Sequence, residues 1–472
     1  MDEDSDEPIR DAQIVGVGLS EEVPEFLQNI FGSIGLDRKE KNELIKTYLG
    51  IKNLRDAART YKRYPRSFNR AISESLEDLS GRAKNVKKTS EAPEGAPISY
   101  SFDEGGNTFE DVIFGGEFDL NGVSVRAVVE SSIPHQQGLM MVGPGALFGM
   151  NYSLFSVYTK KEDRIHVSEI FEIVDTYIGD KNPLKGKVIN IDGEEEDFGD
   201  CDWDDLAAPD YFKTEVEENI IWPVKYHEKI KAANLRIPRG LIFEGERGMG
   251  KTLLSKIIAS KIEGGTFIKA KPSSIQRLGW DYVFEVARTL EPSILYIEDI
   301  ETLTPTKQRF GGMIATVGEV SLTDALDYID GTEERSNVMI IASTNVPELV
   351  DAGVIDRPGR IDRRLVFDPK NTKDFGTSWK EDVFRIHLRG HKLEEGLDVS
   401  KLAKMIGDHP YTGSHIEELI HTAKLEALRH ANIEELSPED AENIVLRQVD
   451  FERAKNRVER IVKRSFGTPE VS

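Results

Sequence analysis

Apolar residues fall into three rhythms along this chain. Between residues 20 and 88, Phe26-Leu27, Ile30-Phe31, Ile34, Leu44-Ile45, Tyr48-Leu49 and Leu54 recur at three- and four-residue steps, which predicts helices. Residues 98–191 change to strand-like runs. Two of these flank Asn121-Gly122, a hairpin signal, and others are Leu154-Phe155-Ser156-Val157-Tyr158 and Lys187-Val188-Ile189-Asn190-Ile191. A β-rich α+β module is expected there. From about 205 to 369, short apolar runs alternate with helical stretches. The runs are Gly240–Phe243, Thr266–Lys269, Ile294–Ile297, Val338–Ala342 and Leu365–Phe367. Strands alternating with helices predict a parallel α/β sheet. Residues 378–466 read as helical, with Gly413 and Ser437-Pro438 as breaks.

Charge divides the chain further. Residues 1–19 open on the acidic run Met1-Asp2-Glu3-Asp4-Ser5-Asp6-Glu7, which is not a signal peptide. Residues 20–90 are expected to form a basic helical domain, with 15 Lys or Arg against 7 Asp or Glu between Leu36 and Lys88. Residues 89–97 have linker composition. Residues 192–204 read as an acidic linker. In it Asp200, Asp202 and Asp204 imitate the start of a calcium loop, but Asp205 and Tyr211 stand where the loop needs Gly and Glu. Over 472 residues the net charge is −23, which argues against broad coating of nucleic acid or anionic membrane. A single Cys201 excludes a disulfide framework and points to a reducing, cytoplasmic setting. The uncharged stretch Ser131–Thr159 is broken by Pro134 and Gly143-Pro144-Gly145, so no membrane span is expected.

The chemistry begins at Gly245-Glu246-Arg247-Gly248-Met249-Gly250-Lys251-Thr252. Two glycines bracket four residues and Lys-Thr follows, after a predicted strand and before the predicted helix that opens at Leu253. This is the P-loop pattern. Backbone N–H groups of such a turn cradle phosphates, the Lys251 ammonium reaches the outer phosphates of ATP, and the Thr252 hydroxyl holds Mg²⁺. Hydrolysis needs acids at a buried strand end, and Glu298-Asp299 stand there, 47 residues after Lys251. One carboxylate, Glu298, orients Mg²⁺ through water, and the next, Asp299, polarises the attacking water. The strand Met339–Asn345 ends in an amide that can hydrogen-bond both phosphate and water. The cluster Arg357-Pro358-Gly359-Arg360-Ile361-Asp362-Arg363-Arg364 can stabilise charge on a transferring phosphoryl group.

This order of elements resembles the classical AAA family of ATPases over about 205–465. Trp203-Asp204-Asp205-Leu206-Ala207 resembles the family's segment near adenine, and Ile221-Trp222-Pro223 and Ile237-Pro238-Arg239-Gly240 resemble its approach to the P-loop. Leu326–Gly331, Ala342–Asn345 and Arg357–Arg363 are similar to the second homology region. Tyr411–Leu419 resembles the helical lid. The resemblance implies a P-loop NTPase core over 205–369 and a lid over 378–466. It implies Asn345 as sensor and Arg360 and Arg363 as fingers acting in trans, within a homohexamer that remodels a protein. Three positions depart from the family. Glu246-Arg247 replaces the usual Pro-Pro, the acid pair reads Glu-Asp rather than Asp-Glu, and Lys271–Trp280 carries no clear pore-loop motif. Two other functions stay open. One is a nucleic-acid motor, from the interleaved bases and aromatics of Tyr61–Arg70. The other is an ATP-binding scaffold with weak turnover.

Overall fold

The computed structural model describes residues 45–46, 48–88, 112–120, 122–132, 151–235, 238–303, 306–310, 313–317, 337–347, 363–367, 378–407 and 411–465. They fall into two compact units. The first comprises the described residues up to Lys185, with Ile189–Glu195 and Asp281–Leu290.

The first unit is built on a five-stranded antiparallel sheet. Its strands are β1 (Ala57–Pro65), β2 (Lys84–Lys88), β3 (Val112–Leu120), β4 (Val123–Ser132) and β5 (Tyr152–Lys160), in the order β1-β5-β4-β3-β2. Helix α1 (Asn69–Arg82) and helix α2 (Ser168–Ile178) pack against each other. The expectation of a helical domain over 20–90 therefore needs correction. Nine residues of β1 pair with β5, from Ala57↔Lys160 to Pro65↔Tyr152. The boundary drawn between 20–90 and 98–191 also falls, because strands from both sides of it share one sheet. Long-range pairing overrides local periodicity here, since strand stability resides in cross-strand neighbours. The expected helix over 20–43, the acidic tail and the linker at 89–97 lie outside the described residues.

The second unit holds a six-stranded sheet. Its strands are β6 (Val188–Asn190, of which only Val188 falls in this unit), β7 (Gly240–Gly245), β8 (Thr266–Ala270), β9 (Ser293–Ile297), β12 (Val338–Thr344) and β13 (Arg363–Phe367), in the order β13-β7-β12-β9-β8-β6. A hairpin of β10 (Thr306–Phe310) and β11 (Met313–Val317), not anticipated from the sequence, sits between β9 and β12 in the chain. Strands β7, β9 and β12 are almost wholly buried, as parallel strands covered on both faces must be. Three helices accompany the strands, α3 (Asp210–Val216), α4 (Lys251–Lys261) and α5 (Pro272–Leu278), and the chain continues from α5 into α6 (Trp280–Thr289). The lid consists of α7 (Trp379–His387), α8 (Val399–Ile406), α9 (Gly413–His430) and α10 (Gln448–Ser465), with a short helix at Pro438–Glu442. One buried cluster runs from Leu241, Phe243, Ile257, Ile294 and Ile341 in the sheet layers to Trp379, Phe384, Ile416 and Phe451 in the lid.

The run Lys187–Ile191, expected as a strand of the β-rich module, supplies edge strand β6 beside β8. The acidic stretch after it starts as an ordered turn, with an Ile189↔Glu195 bridge and Asn190 binding both the backbone and the side chain of Glu194. Gly413 opens α9 rather than breaking a helix. The lid is also not helical throughout, because Lys392–Leu393 and Val445–Leu446 pair as two-residue parallel strands. Helix α6 lies between β8 and β9 in the chain, yet residues Asp281–Leu290 belong to the first unit. The Tyr282 hydroxyl accepts from the buried Ser67 N–H at 3.0 Å and donates to Ser67 Oγ at 3.1 Å, and the Tyr152 hydroxyl donates to Glu285 at 3.0 Å. Among the described residues no helix is long and apolar enough to cross a membrane.

Candidate functional site

The order β7-β12-β9 places β12 between the P-loop strand and the acid-bearing strand. Registers Ala342↔Ile242 and Ala342↔Ile297 align all three in parallel. Their C-terminal ends therefore open at one edge, where ligands bind in open α/β sheets. A cavity of about 500 Å³ lies there. Arg247, Gly248, Met249, Gly250, Lys251, Thr252 and Leu253 line it, with Glu298, Asp299, Ser343 and Asn345. Leu206 and Ala207 of the entry segment and Trp379, His387, Ser414 and Glu417 of the lid complete the wall. Gly245 and Glu246 touch the site through their carbonyls, which accept from Lys251.

Two glycines have a physical reason to be there. Gly250 precedes α4 in the left-handed region (φ 99°), where a side chain costs about 1–2 kcal/mol. Gly248 (φ 80°) lies so close to the lid that a Cβ would stand 2.5 Å from Ser414 Oγ, and its carbonyl accepts from Ser414 N at 3.1 Å. The first N–H groups of α4 have no intrahelical acceptor, so they face the cavity as donors and favour an anion.

A chain of three side chains crosses the site. The Lys251 ammonium donates to Gly245 O at 2.5 Å, to Glu246 O at 2.9 Å and to Asn345 Oδ1 at 2.8 Å. Asn345 Nδ2 in turn donates to Asp299 Oδ1 at 2.6 Å. Burial pushes the Lys251 amine down to about 8, a shift that the carboxylates of Asp299 and Glu301 oppose. Asp299 itself adopts a left-handed backbone (φ 47°), which Asp tolerates better than most residues. Glu298 projects towards Lys269, whose ammonium lies 3.4 Å away. Backbone donors, an ammonium, the Thr252 hydroxyl and the Glu298 and Asp299 carboxylates thus share one cavity. That donor set suits a polyphosphate with a hard divalent cation.

The arginines divide. Arg363 begins β13, is half exposed, and lies 3.4 Å from Glu215. Arg360 lies outside the described residues, as does Leu326–Gly331. Arg364, the last residue of the arginine cluster, makes a two-pronged pair with the buried Glu244 at 2.8 and 2.9 Å. It thereby ties β13 to the last turn of β7. Glu301 was also missed, although three acids within Glu298-Asp299-Ile300-Glu301 were visible.

Elsewhere the bases of the Tyr61–Arg70 segment are engaged within the first unit. Lys62 and Tyr64 both donate to Asp175, at 2.6 and 2.8 Å, and Arg63 lies over the Tyr152 ring. Arg70 pairs with Glu74 and Glu195. Trp280, a candidate pore residue, is 4% exposed and follows Gly279 (φ 80°) at the end of α5.

Residues 241–369 match the model of the ATPase family associated with various cellular activities, AAA. A cell division cycle protein 48 homologue of Archaeoglobus fulgidus is 31% identical over 267 residues, covering 54% of this chain and 35% of that protein. An ATP-dependent zinc metalloprotease FtsH 1 of Thermomicrobium roseum is 32% identical over 240 residues, 48% of this chain and 34% of that protein. A proteasome-activating nucleotidase of Methanothermobacter thermautotrophicus is 30% identical over 271 residues, 55% of this chain and 63% of that protein. The chain thus spans only part of the length of these relatives. With its P-loop, acid pair and strand-end amide brought to one cavity, the matched region 241–369 is a module of the AAA family.

Proposed function

We propose that this protein hydrolyses ATP within a homohexameric ring and uses the cycle to remodel a protein selected by its N-terminal unit. The observation that carries the hydrolytic part is the Lys251–Asn345–Asp299 chain at the mouth of a 500 Å³ cavity. In this reading the P-loop amides from Gly245 to Leu253 and the Lys251 ammonium bind the phosphates. Lys251 exchanges its carbonyl and amide acceptors for phosphate oxygens, which frees Asn345 Oδ1. Asn345 then orients the attacking water, and Asp299 accepts its proton. Thr252 would hold Mg²⁺ directly and Glu298 through water, and the ion would supply charge neutralisation across the phosphates. Arg360 and Arg363 of a neighbouring copy approach the terminal phosphate. The direct Gly248–Ser414 contact gives the lid a means of sensing the occupied loop. Protein, rather than nucleic acid, as substrate is supported by the names of the proteasome-activating and protease relatives. The internal pairing of Lys62 and Arg70 supports it too. A single cysteine suits a cytoplasmic setting.

One observation favours an ATP-binding scaffold with weak turnover: the Asp299 carboxylate is already bonded to Asn345, and an Asp base is one methylene shorter than Glu. Phosphate release by the full chain, compared with Lys251→Ala and Asp299→Asn, separates the two. Turnover that Asp299→Asn abolishes while ATP still binds supports the machine. A Lys251→Ala protein that hydrolyses ATP at the parental rate would sink it. Mass measurement with and without ATP tests the ring.

A further inference from the structure

The turn after β9 carries a third carboxylate that the hydrolytic reading does not use. Ile300 and Leu303 are buried and anchor the one-turn 3-10 helix Ile300–Leu303. Thr302 locks it from the other side, donating from its backbone and its hydroxyl to Asp299 O at 3.0 and 2.9 Å. The left-handed Asp299 reverses the chain so that Asp299 and Glu301, two residues apart, both face the end of β12. There they grip the same residue. Asp299 takes the side-chain amide of Asn345 at 2.6 Å, and Glu301 Oε1 takes its backbone N–H at 3.3 Å. At this point β12 has left the sheet ladder. The next N–H, of Val346, is taken by Thr344 Oγ1 at 3.1 Å, so Glu301 and Thr344 together terminate the strand. Glu301 Oε2 is buried and has no hydrogen-bond partner among the described residues. A buried, half-satisfied carboxylate costs stability. Its place beside the candidate reactive centre points to a role other than stability. The same carboxylate lies near enough to Lys251 to interact with it electrostatically.

We propose that Glu301 is a positioning residue for hydrolysis: by holding the Asn345 backbone N–H, it aims the Asn345 side chain at the space between Lys251 and Asp299. This rests on the hydrolytic reading above. The geometric lever is short. A backbone rotation at Asn345 moves its amide off Asp299, because side-chain direction at a strand end follows the backbone, and misplacement by about 1 Å can cost about a hundredfold in rate.

The test uses the full chain with Glu301→Gln, Glu301→Ala and Asp299→Asn, and measures ATP affinity, turnover and melting temperature for each. Gln keeps an acceptor for the Asn345 N–H and removes the charge, whereas Ala removes both. A lost hydrogen bond to a charged acceptor is worth about 1.5–3 kcal/mol, and about 1.4 kcal/mol is tenfold in rate. Glu301→Ala is therefore expected to lose turnover about tenfold or more while its ATP affinity stays within about twofold. Glu301→Gln should keep at least about a third of the parental turnover. A purely structural role would lower the melting temperature and leave turnover per folded molecule unchanged. The proposal is overturned if Glu301→Ala turns over within about twofold of the parent while Asp299→Asn is inactive. It is equally overturned if Gln and Ala lose activity to the same extent, because charge rather than the hydrogen bond then matters. If Asp299→Asn itself stays active, it is the hydrolytic reading that fails. Should Glu301→Ala not fold, Glu301→Leu, which keeps most of the side-chain volume and removes the acceptor, decides by the same affinity-against-turnover comparison.

Discussion

Replacing Asn345 by Asp puts the hydrolytic site under the most direct strain. The wild-type contact is an amide donating to Asp299 Oδ1 at 2.6 Å. In Asn345→Asp an acceptor oxygen takes the place of that donor, and two carboxylates confront each other. At 2.6 Å and an effective dielectric constant of about 20, two full charges repel by about 6 kcal/mol. The site opens to solvent, so this is an upper bound. Even a third of it, about 2 kcal/mol, raises the acid's pKa by about 1.5 units. Such a pair shares a proton, and a protonated Asp299 accepts none from water. At pH 7 such a carboxylate is still mostly ionised, so turnover there should fall about a hundredfold through misplacement of the water, with ATP affinity held within a few-fold because the P-loop donors are untouched. The acid limb of the rate profile should also move upward by a unit or more. Asn345→Ala is the control: it loses positioning and leaves the acid limb near the parental pH. Steady-state phosphate release from pH 5 to 9, with affinity from a fluorescent ATP analogue, reads both quantities. An Asn345→Asp protein with the parental rate and pH profile would refute the pairing of Asn345 with the base.

Two further outcomes can be checked. Burial holds Lys251 at about 8 in the free protein, and phosphate oxygens restore its ordinary range near 10.4. The charged form is therefore already present below pH 8. Above pH 8 ATP binding must draw in a proton, so affinity falls as pH rises. Calorimetry in buffers of different ionisation enthalpy should show uptake of about 0.1 proton at pH 7 and about 0.9 at pH 9, and uptake that persists in Lys251→Arg would contradict the assignment. In the first unit, Tyr282→Phe strips the buried Ser67 N–H of its acceptor, a loss worth about 1–3 kcal/mol. Urea unfolding should show the midpoint falling at unchanged slope, and a loss below about 0.5 kcal/mol would count against that hydrogen bond.

The chemistry was legible wherever it resided in contiguous residues. Gly245–Thr252, Glu298-Asp299 and Asn345 declare themselves by residue type and by their place after apolar runs, because a phosphate cradle and an acid-bearing strand end are local constructions. Strand runs buried on both faces, such as Ile294–Ile297, were equally plain. Hydrophobic period did not suffice in the N-terminal half. Tyr61–Arg70 carries aromatics and bases that suit a helix face, a nucleic-acid surface or a strand. Only the pairing of Tyr61–Pro65 with β5, as the second half of β1, and the capture of Lys62 by Asp175 chose the strand.

The sequence by itself determined the phosphate-cradle motif, most of the polar residues that line the cavity and the alternating strands and helices that carry them. Tertiary structure decided their adjacency. The order β7-β12-β9 inserts Asn345 between Lys251 and Asp299, which lie 94 and 46 residues away from it in the chain. The left-handed turn at Asp299 swings Glu301 onto the same residue. The antiparallel sheet absorbs strands from both sides of an apparent linker, and the first unit takes Asp281–Leu290 from between two strands of the ATPase sheet. The reason is common to the strand order, the antiparallel sheet and the captured helix. Cradles, caps and strand ends are set by interactions a few residues long, whereas strand order and helix ownership are set by burying surfaces far apart in the chain, whose free energy no local window contains.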